Sequence, residues 1–232
     1  MQQQRNLNMD NNTKTLVYLG CNTGFGLNKL LSKFSFDKLI LVEANPVAFD
    51  HLRNNFKNLP NAIFINKCIV SNKNVQTTKF YRTKNLVSSS ALKPSENDYG
   101  GVVDVIDTET AYLPDLLKAH DVNHIDFYIS DIQGNDFSVL NTIKNFTDEQ
   151  RINEMFMETY NSSFVAYENS SNQFSNYYNL LKNNYKVDYY SADGTVYNTV
   201  HDITKFLMDD SAGELDVHWS SNKLSTIKYF WN

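Results

Sequence analysis

The chain has 232 residues, of which 41% are apolar and 13% aromatic, a content that supplies one buried α/β core and excludes wholesale disorder. The net charge of −5 and the scattered Lys and Arg exclude the clustered basic footprint of a nucleic-acid binder, and no anionic membrane surface is favoured. Two cysteines are too few for a disulfide scaffold, and the longest apolar runs are far too short to span a bilayer, so a cytoplasmic protein with reduced thiols is expected.

Met1 to Lys14 is Gln- and Asn-rich without an apolar core, which predicts a disordered lead-in ahead of one domain over 15–232. Thr15-Leu-Val-Tyr-Leu19 reads as the first strand, and Gly20 to Gly26 as a loop. A helix over Leu27 to Phe34 follows, with Leu27, Leu30, Leu31 and Phe34 at helical spacing. Lys38 to Val42 is a buried strand that ends at Glu43. Asn45-Pro46 caps the next helix, which Pro60 stops. Ala62 to Val70 is expected as one strand and Val75 to Arg82 as an additional one.

The polar stretch Asn85 to Gly101 predicts a mobile loop. Leu113 to His120 is a short helix, Ile125 to Ser130 a fourth parallel strand, and Phe137 to Phe146 the helix after it. Met155 to Glu158 belongs to a fifth strand and Phe174 to Leu181 is helical. Lys186 to Tyr190 and Thr195 to Tyr197 form a hairpin around Asp193-Gly194. Beyond Lys205 the pattern gives no clear element. Strands alternating with helices predict a Rossmann-like α/β fold, a mainly parallel sheet with helices on both faces and an antiparallel C-terminal hairpin.

The chemistry begins at Gly20, Gly24 and Gly26, between a strand and a helix, where glycine lets backbone lie against a ligand. Glu43 ends the second strand, 23 residues after Gly20. A carboxylate there is placed to accept both hydrogen bonds of a ribose diol. Together these features indicate an adenosine-type cofactor without choosing between NAD and S-adenosylmethionine.

Three segments, in order, resemble the FkbM-type methyltransferases: Tyr18-Leu-Gly-Cys-Asn-Thr-Gly24, Val42-Glu-Ala-Asn-Pro46 and Ile125-Asp-Phe-Tyr-Ile-Ser-Asp-Ile-Gln-Gly-Asn-Asp136. The resemblance covers roughly residues 15 to 160, and Val103 to Leu117 looks like that family too. It implies a seven-stranded class I methyltransferase fold, S-adenosylmethionine as donor, and an oxygen acceptor on a sugar or other small molecule. Carried onto this chain, the cofactor site comprises Gly20, Cys21, Asn22, Thr23, Gly24, Gly26, Glu43, Ala44, Lys67, Cys68, Ser130 and Asp131. The chain departs from the family at Tyr18, where an Asp is usual, at Ser130 for Lys, at Gln133 for Glu and at Asp136 for Glu.

Methyl transfer to a hydroxyl needs alignment and removal of one proton. Asp131 and Glu158 end adjacent strands at the ligand-binding edge and are the candidate catalytic residues, Asp131 leading. Asp131, Asp136 and Glu158 also offer hard oxygen ligands for a divalent metal, though none is expected. Tyr160, Tyr167, Tyr189-Tyr190, Ser88-Ser-Ser90 and Tyr99 are candidates to line a carbohydrate acceptor site. His201 or His218 is a candidate to cover the site. The rival readings are a short-chain dehydrogenase, for which Tyr178 and Lys182 would be the catalytic pair, and a cofactor-binding module impaired in turnover.

Overall fold

The computed structural model describes residues 14–84, 86–95, 101–161, 164, 166–192, 195–197 and 213–222, with backbone alone at 189–192 and 195–197. The lead-in over 1–13, Asn85, the stretch 96–100 with Tyr99, Asp193-Gly194, and 198–212 with His201 lie outside the described residues.

The innermost strand is β1 (Thr15–Leu19), in which every residue is buried. It lies in parallel between β2 (Lys38–Val42) and β7 (Ile125–Ser130). Such near-continuous apolar runs are what a strand covered on both faces requires. Outward on one side β3 (Ala62–Ile65) pairs in parallel with β2. On the other, β8 (Ile152–Tyr160) pairs in parallel with β7. The reversed strand β11 (Glu214–Ser221) inserts between β8 and β9 (Tyr185–Ala192), and β10 (Thr195–Tyr197) closes the hairpin with β9. The eight-stranded order is therefore β10-β9-β11-β8-β7-β1-β2-β3. The expected mainly parallel sheet with an antiparallel C-terminal hairpin is present. Its inner seven strands have the order of a class I methyltransferase.

Helices α1 (Phe25–Leu31), α2 (Pro46–Asn55), α3 (Leu113–Ala119), α4 (Asp136–Thr142), α5 (Lys144–Asp148) and α6 (Phe174–Leu181) connect the strands. One apolar layer joins Val17, Leu19, Tyr128 and Met155 to α3, α4 and α6. The other joins Leu16, Tyr18, Phe127 and Phe156 to α1 and α2. None of the described helices is long and apolar enough to cross a membrane.

Two expected elements differ, and two strands were not anticipated. The single strand over 62–70 is two, because the Asn66 amide donates to the carbonyls of Glu43 and Ala44 and breaks the run. Beyond it β4 (Cys68–Val70) leaves the main sheet and pairs with β6 (Val102–Tyr112), which itself pairs antiparallel with β5 (Thr77–Thr83). The helix over 137–146 is also two, α4 and α5; Thr142 Oγ1 donates back to the Val139 carbonyl at the end of α4, an interaction that bends helices. Neither β6 nor β11 was anticipated, although in β11 Leu215, Val217 and Trp219 alternate as a half-buried strand should.

Candidate active site

The carboxyl ends of β1, β2 and β7 and the start of β4 surround a cavity of about 400 Å³, within the ~300–1,000 Å³ of small-molecule sites. The β5 strand and the segment 86–91 form its far wall through Phe80, Leu86, Val87, Ser89 and Ala91. Of the residues expected to hold a cofactor, Gly20, Cys21, Asn22, Thr23, Gly26, Glu43, Ala44, Lys67, Cys68 and Asp131 all line it. Gly24 and Ser130 do not.

The loop after β1 is shaped by two positions that only glycine tolerates. Gly20 has φ +79, and a Cβ there would stand 1.9 Å from the Asp131 carbonyl oxygen, so the loops after β1 and β7 are in contact through a bare backbone. Gly24 has φ +92 and packs beneath the ring of Phe56, where a Cβ would come within 2.2 Å. It caps α1 from behind the cavity wall.

Glu43 is buried at the end of β2. Its Oε2 accepts from the Asn22 backbone N–H and its Oε1 from that of Asn45, both at 2.7 Å. Burial raises the carboxyl to about 6, and the backbone donors only partly offset that cost. Each oxygen retains one lone pair for a ligand. The Cys21 and Cys68 thiols beside it are free and buried, and burial together with Glu43 pushes Cys68 up to about 12. Neither thiol is an activated nucleophile.

The loop after β7 is organised by Asp136. Its fully buried carboxylate accepts from Ser130 Oγ (2.5 Å), the Ile132 N–H (2.9 Å), Asn172 Nδ2 (2.7 Å) and the Gly134 N–H (3.3 Å). Burial raises its carboxyl and these donors oppose the rise. Ser130 thus supports the cavity floor indirectly. Asp136 is a loop clamp with its oxygens occupied by the donors of its own loop and of Asn172, which sets it apart from Asp131 and Glu158 as a candidate metal ligand. Among the described residues Asp131, Asp136 and Glu158 form no convergent ligand group.

Asp131 faces the cavity. The residue as a whole is exposed to solvent; partial desolvation of its carboxyl beside Gln133, then Asp136 and Asp216, raise that group above the usual carboxylate range. Its Oδ1 accepts from Gln133 Nε2, and its Oδ2 accepts no hydrogen bond from the described residues. Glu158 lies one side chain further back, outside the cavity lining. Its Oε1 accepts from the same Gln133 Nε2 (3.1 Å) and its Oε2 from the Tyr160 hydroxyl (2.7 Å). Burial, then Asp131 and Glu214, raise its carboxyl as well.

Several sequence expectations are corrected here. Tyr160 and Tyr167 are fully buried and Ser88 and Ser90 nearly so, so neither ring offers a face to a sugar. Among the described side chains of that group only Ser89 reaches the cavity; Tyr99 and the side chains of Tyr189 and Tyr190 lie outside the described residues. His218 lies in the body of the sheet opposite Phe156, with Glu154 Oε2 2.5 Å from Nε2 and Asp188 Oδ2 3.4 Å from Nδ1. Glu154, Asp188 and His218 are the one group among the described residues whose ligand atoms lie within 4.8 Å of one another, and they sit in the body of the sheet, away from the cavity. Tyr178 and Lys182 face each other on α6 outside the cavity, which removes the dehydrogenase pair. Sequence reasoning named Gln133 only as a departure from the family and missed Asn135 and the wall from β5 to Ala91, all of which line the cavity. Only the left-handed φ of +58 that Gln133 adopts before Gly134 marks the loop as unusual, and φ is not legible in sequence.

A model described as the methyltransferase FkbM domain matches residues 25–206. No curated protein matches the chain. Among solved structures, TrmK of M. capricolum with S-adenosyl-homocysteine is similar at 14% identity, covering 94% of this chain and 67% of that one, with a TM-score of 0.45. Aeropyrum pernix fibrillarin with S-adenosyl-L-methionine is 14% identical, covering 89% and 66%, at 0.44. The methyltransferase domain of bacterial CtHen1 is 14% identical, covering 90% of each chain, at 0.41. All three lie below a TM-score of 0.5 and carry no functional weight.

Proposed function

The chain belongs to the FkbM methyltransferase domain family, and on that premise we propose that it transfers the methyl group of S-adenosylmethionine to a hydroxyl of a sugar or other small molecule in the cytoplasm. The observation that carries this reading is the cavity itself: a glycine-walled bend beside a buried, backbone-anchored carboxylate with spare lone pairs. That donor set fits an adenosyl ligand. Glu43 would grip the ribose, Ala44, Lys67 and Cys68 would border the adenine, and Gly20 to Gly26 would border the amino-acid tail. Bound there, S-adenosylmethionine supplies a methyl carbon on a positively charged sulfur, a leaving group that needs no proton.

The chain's own work is then to hold the acceptor in line and take one proton from its hydroxyl. Asp131 is the residue for both tasks. Its Oδ1 is held by Gln133 while Oδ2 is open to an acceptor, and its raised carboxyl makes the ionised form a stronger base than an ordinary aspartate. Glu158 acts from behind, as an ionisable partner reached through Gln133 rather than as a second base.

Transfer of a labelled methyl group to a panel of sugars and small hydroxyl compounds tests the reading. The wild-type chain should label at least one hydroxyl acceptor. Asp131→Asn should lower the rate by about 10²–10⁴-fold, the usual contribution of a positioned base, with cofactor affinity held within a few-fold. Equal turnover in the two proteins would remove Asp131 from the reaction, and labelling confined to amines or thiols would overturn the hydroxyl assignment.

A further inference from the structure

We propose that Gln133 is a positioning residue of this site: its side-chain amide, oriented by Tyr167, bridges the carboxylates of Asp131 and Glu158 and leaves Asp131 Oδ2 to the acceptor. The inference rests on the reading of Asp131 as the base, and deepens it.

The bridge uses the amide to capacity. A glutamine NH₂ has two donors, and here one meets Asp131 Oδ1 and the other Glu158 Oε1. The amide oxygen accepts from the Tyr167 hydroxyl, whose oxygen also lies 3.1 Å from the Ser88 carbonyl oxygen. The reversed amide would set its oxygen against two carboxylates and forfeit the donation from the Tyr167 hydroxyl, so the partners themselves fix the orientation. A carboxylate at this position would put three acids in contact without a donor between them.

The backbone is held with equal care. Gln133 sits at φ +58, a conformation costly for a residue with a side chain, and its carbonyl accepts from Ser90 Oγ at 2.6 Å. The following Gly134 has φ +100 and packs against Tyr167 and Leu92, where a Cβ would come within 3.1 Å. The far cavity wall and the Tyr167 segment thus pin the loop that carries Asp131. The groups facing Asp131 are Asp136 on its own loop, Glu158 on β8, Asp216 and Glu214 on β11, and the Tyr18 hydroxyl on β1. The charged members of that set are all acids, so the donors of Gln133 are what favours an ionised Asp131.

The test is a carboxyl ¹³C NMR titration of the full chain, with the Asp131 signal assigned by its loss in Asp131→Asn. Gln133→Met keeps the side-chain length and removes both donors. It should raise the Asp131 midpoint by about one pH unit, the scale of a lost hydrogen bond to a charged group, with affinity for S-adenosylhomocysteine within a few-fold. Tyr167→Phe frees the amide to rotate and should move the midpoint the same way by less. A simple packing role would leave both midpoints in place. An unmoved midpoint in folded Gln133→Met overturns the proposal, and if that variant does not fold, an unmoved midpoint in Tyr167→Phe does so. The titration needs no cofactor: a shifted midpoint in a chain that binds no S-adenosylhomocysteine would sink the methyltransferase reading and leave the bridge standing.

Discussion

Replacing Glu43 by Gln keeps the size of the side chain and changes its hydrogen-bonding capacity. In the native chain both oxygens accept from backbone N–H groups and retain a lone pair each for a ribose diol. The substitution turns one oxygen into an NH₂ that faces a backbone donor, so one native bond is lost, and the charged acceptor offered to the ribose is lost with it. A hydrogen bond to a charged group is worth about 1.5–3 kcal/mol, so losing charge-assisted acceptance from the diol should weaken binding by about 3 kcal/mol, roughly 150-fold.

Protonation does in part what the mutation does in full. With the folded carboxyl raised to about 6, S-adenosylhomocysteine affinity should fall as pH drops through about 6 and level off above it. The sign for stability is opposite. A raised carboxyl binds its proton more tightly in the folded chain, so its contribution is complete below the ordinary glutamate range and is lost as pH rises through about 6. Calorimetric titration with S-adenosylhomocysteine at a series of pH values reads the affinity, and urea unfolding at the same pH values reads the stability. Wild type should show the pH-dependent step and Glu43→Gln a weak, flat profile. Equal affinities for the two proteins at neutral pH would refute the assignment of Glu43.

Gly20→Ala places a Cβ 1.9 Å from the Asp131 carbonyl oxygen at φ +79 and should destabilise the fold by about 3 kcal/mol or more, read as a lowered Tm. Asp136→Ala strands the Ser130 hydroxyl, the Ile132 N–H and the Asn172 amide; it should cost about 2–4 kcal/mol in urea unfolding and also weaken S-adenosylhomocysteine binding, although Asp136 lies outside the cavity. Phe127→Ala removes a buried ring packed 5.0 Å from Phe34, 5.4 Å from Phe36 and 6.2 Å from Phe156, for which about 3–5 kcal/mol is expected in the same assay.

The inner sheet was legible because β1, β2 and β7 are covered on both faces and therefore read as unbroken apolar runs. Gly20, Glu43 and Asp131 were legible for a related reason: each sits at the end of one of those strands, so locating the strand locates the residue. What resisted reading depends on contacts distant in sequence. Cys68–Val70 leaves the main sheet because its partner is Thr110–Tyr112, and the Asn66 amide that breaks the strand bonds back to Glu43 and Ala44. Glu158 looks catalytic if the fifth strand ends there, yet β8 runs on to Tyr160, and Gln133 and Tyr160 bond both of its oxygens and stand it back from the cavity. Tyr167 reads as a possible sugar platform until its hydroxyl is seen on Gln133 and its ring against Gly134. Pairings of this kind leave no periodicity in the chain.

A crystal structure of the full chain grown with saturating S-adenosylhomocysteine reports on the central claim most directly. Density for the nucleoside should fill the cavity, with both ribose hydroxyls at ordinary hydrogen-bond distance, about 2.6–3.2 Å, from the Glu43 oxygens and the sulfur on the side of Asp131. A cavity without the compound, or a ribose seated away from Glu43, would contradict it.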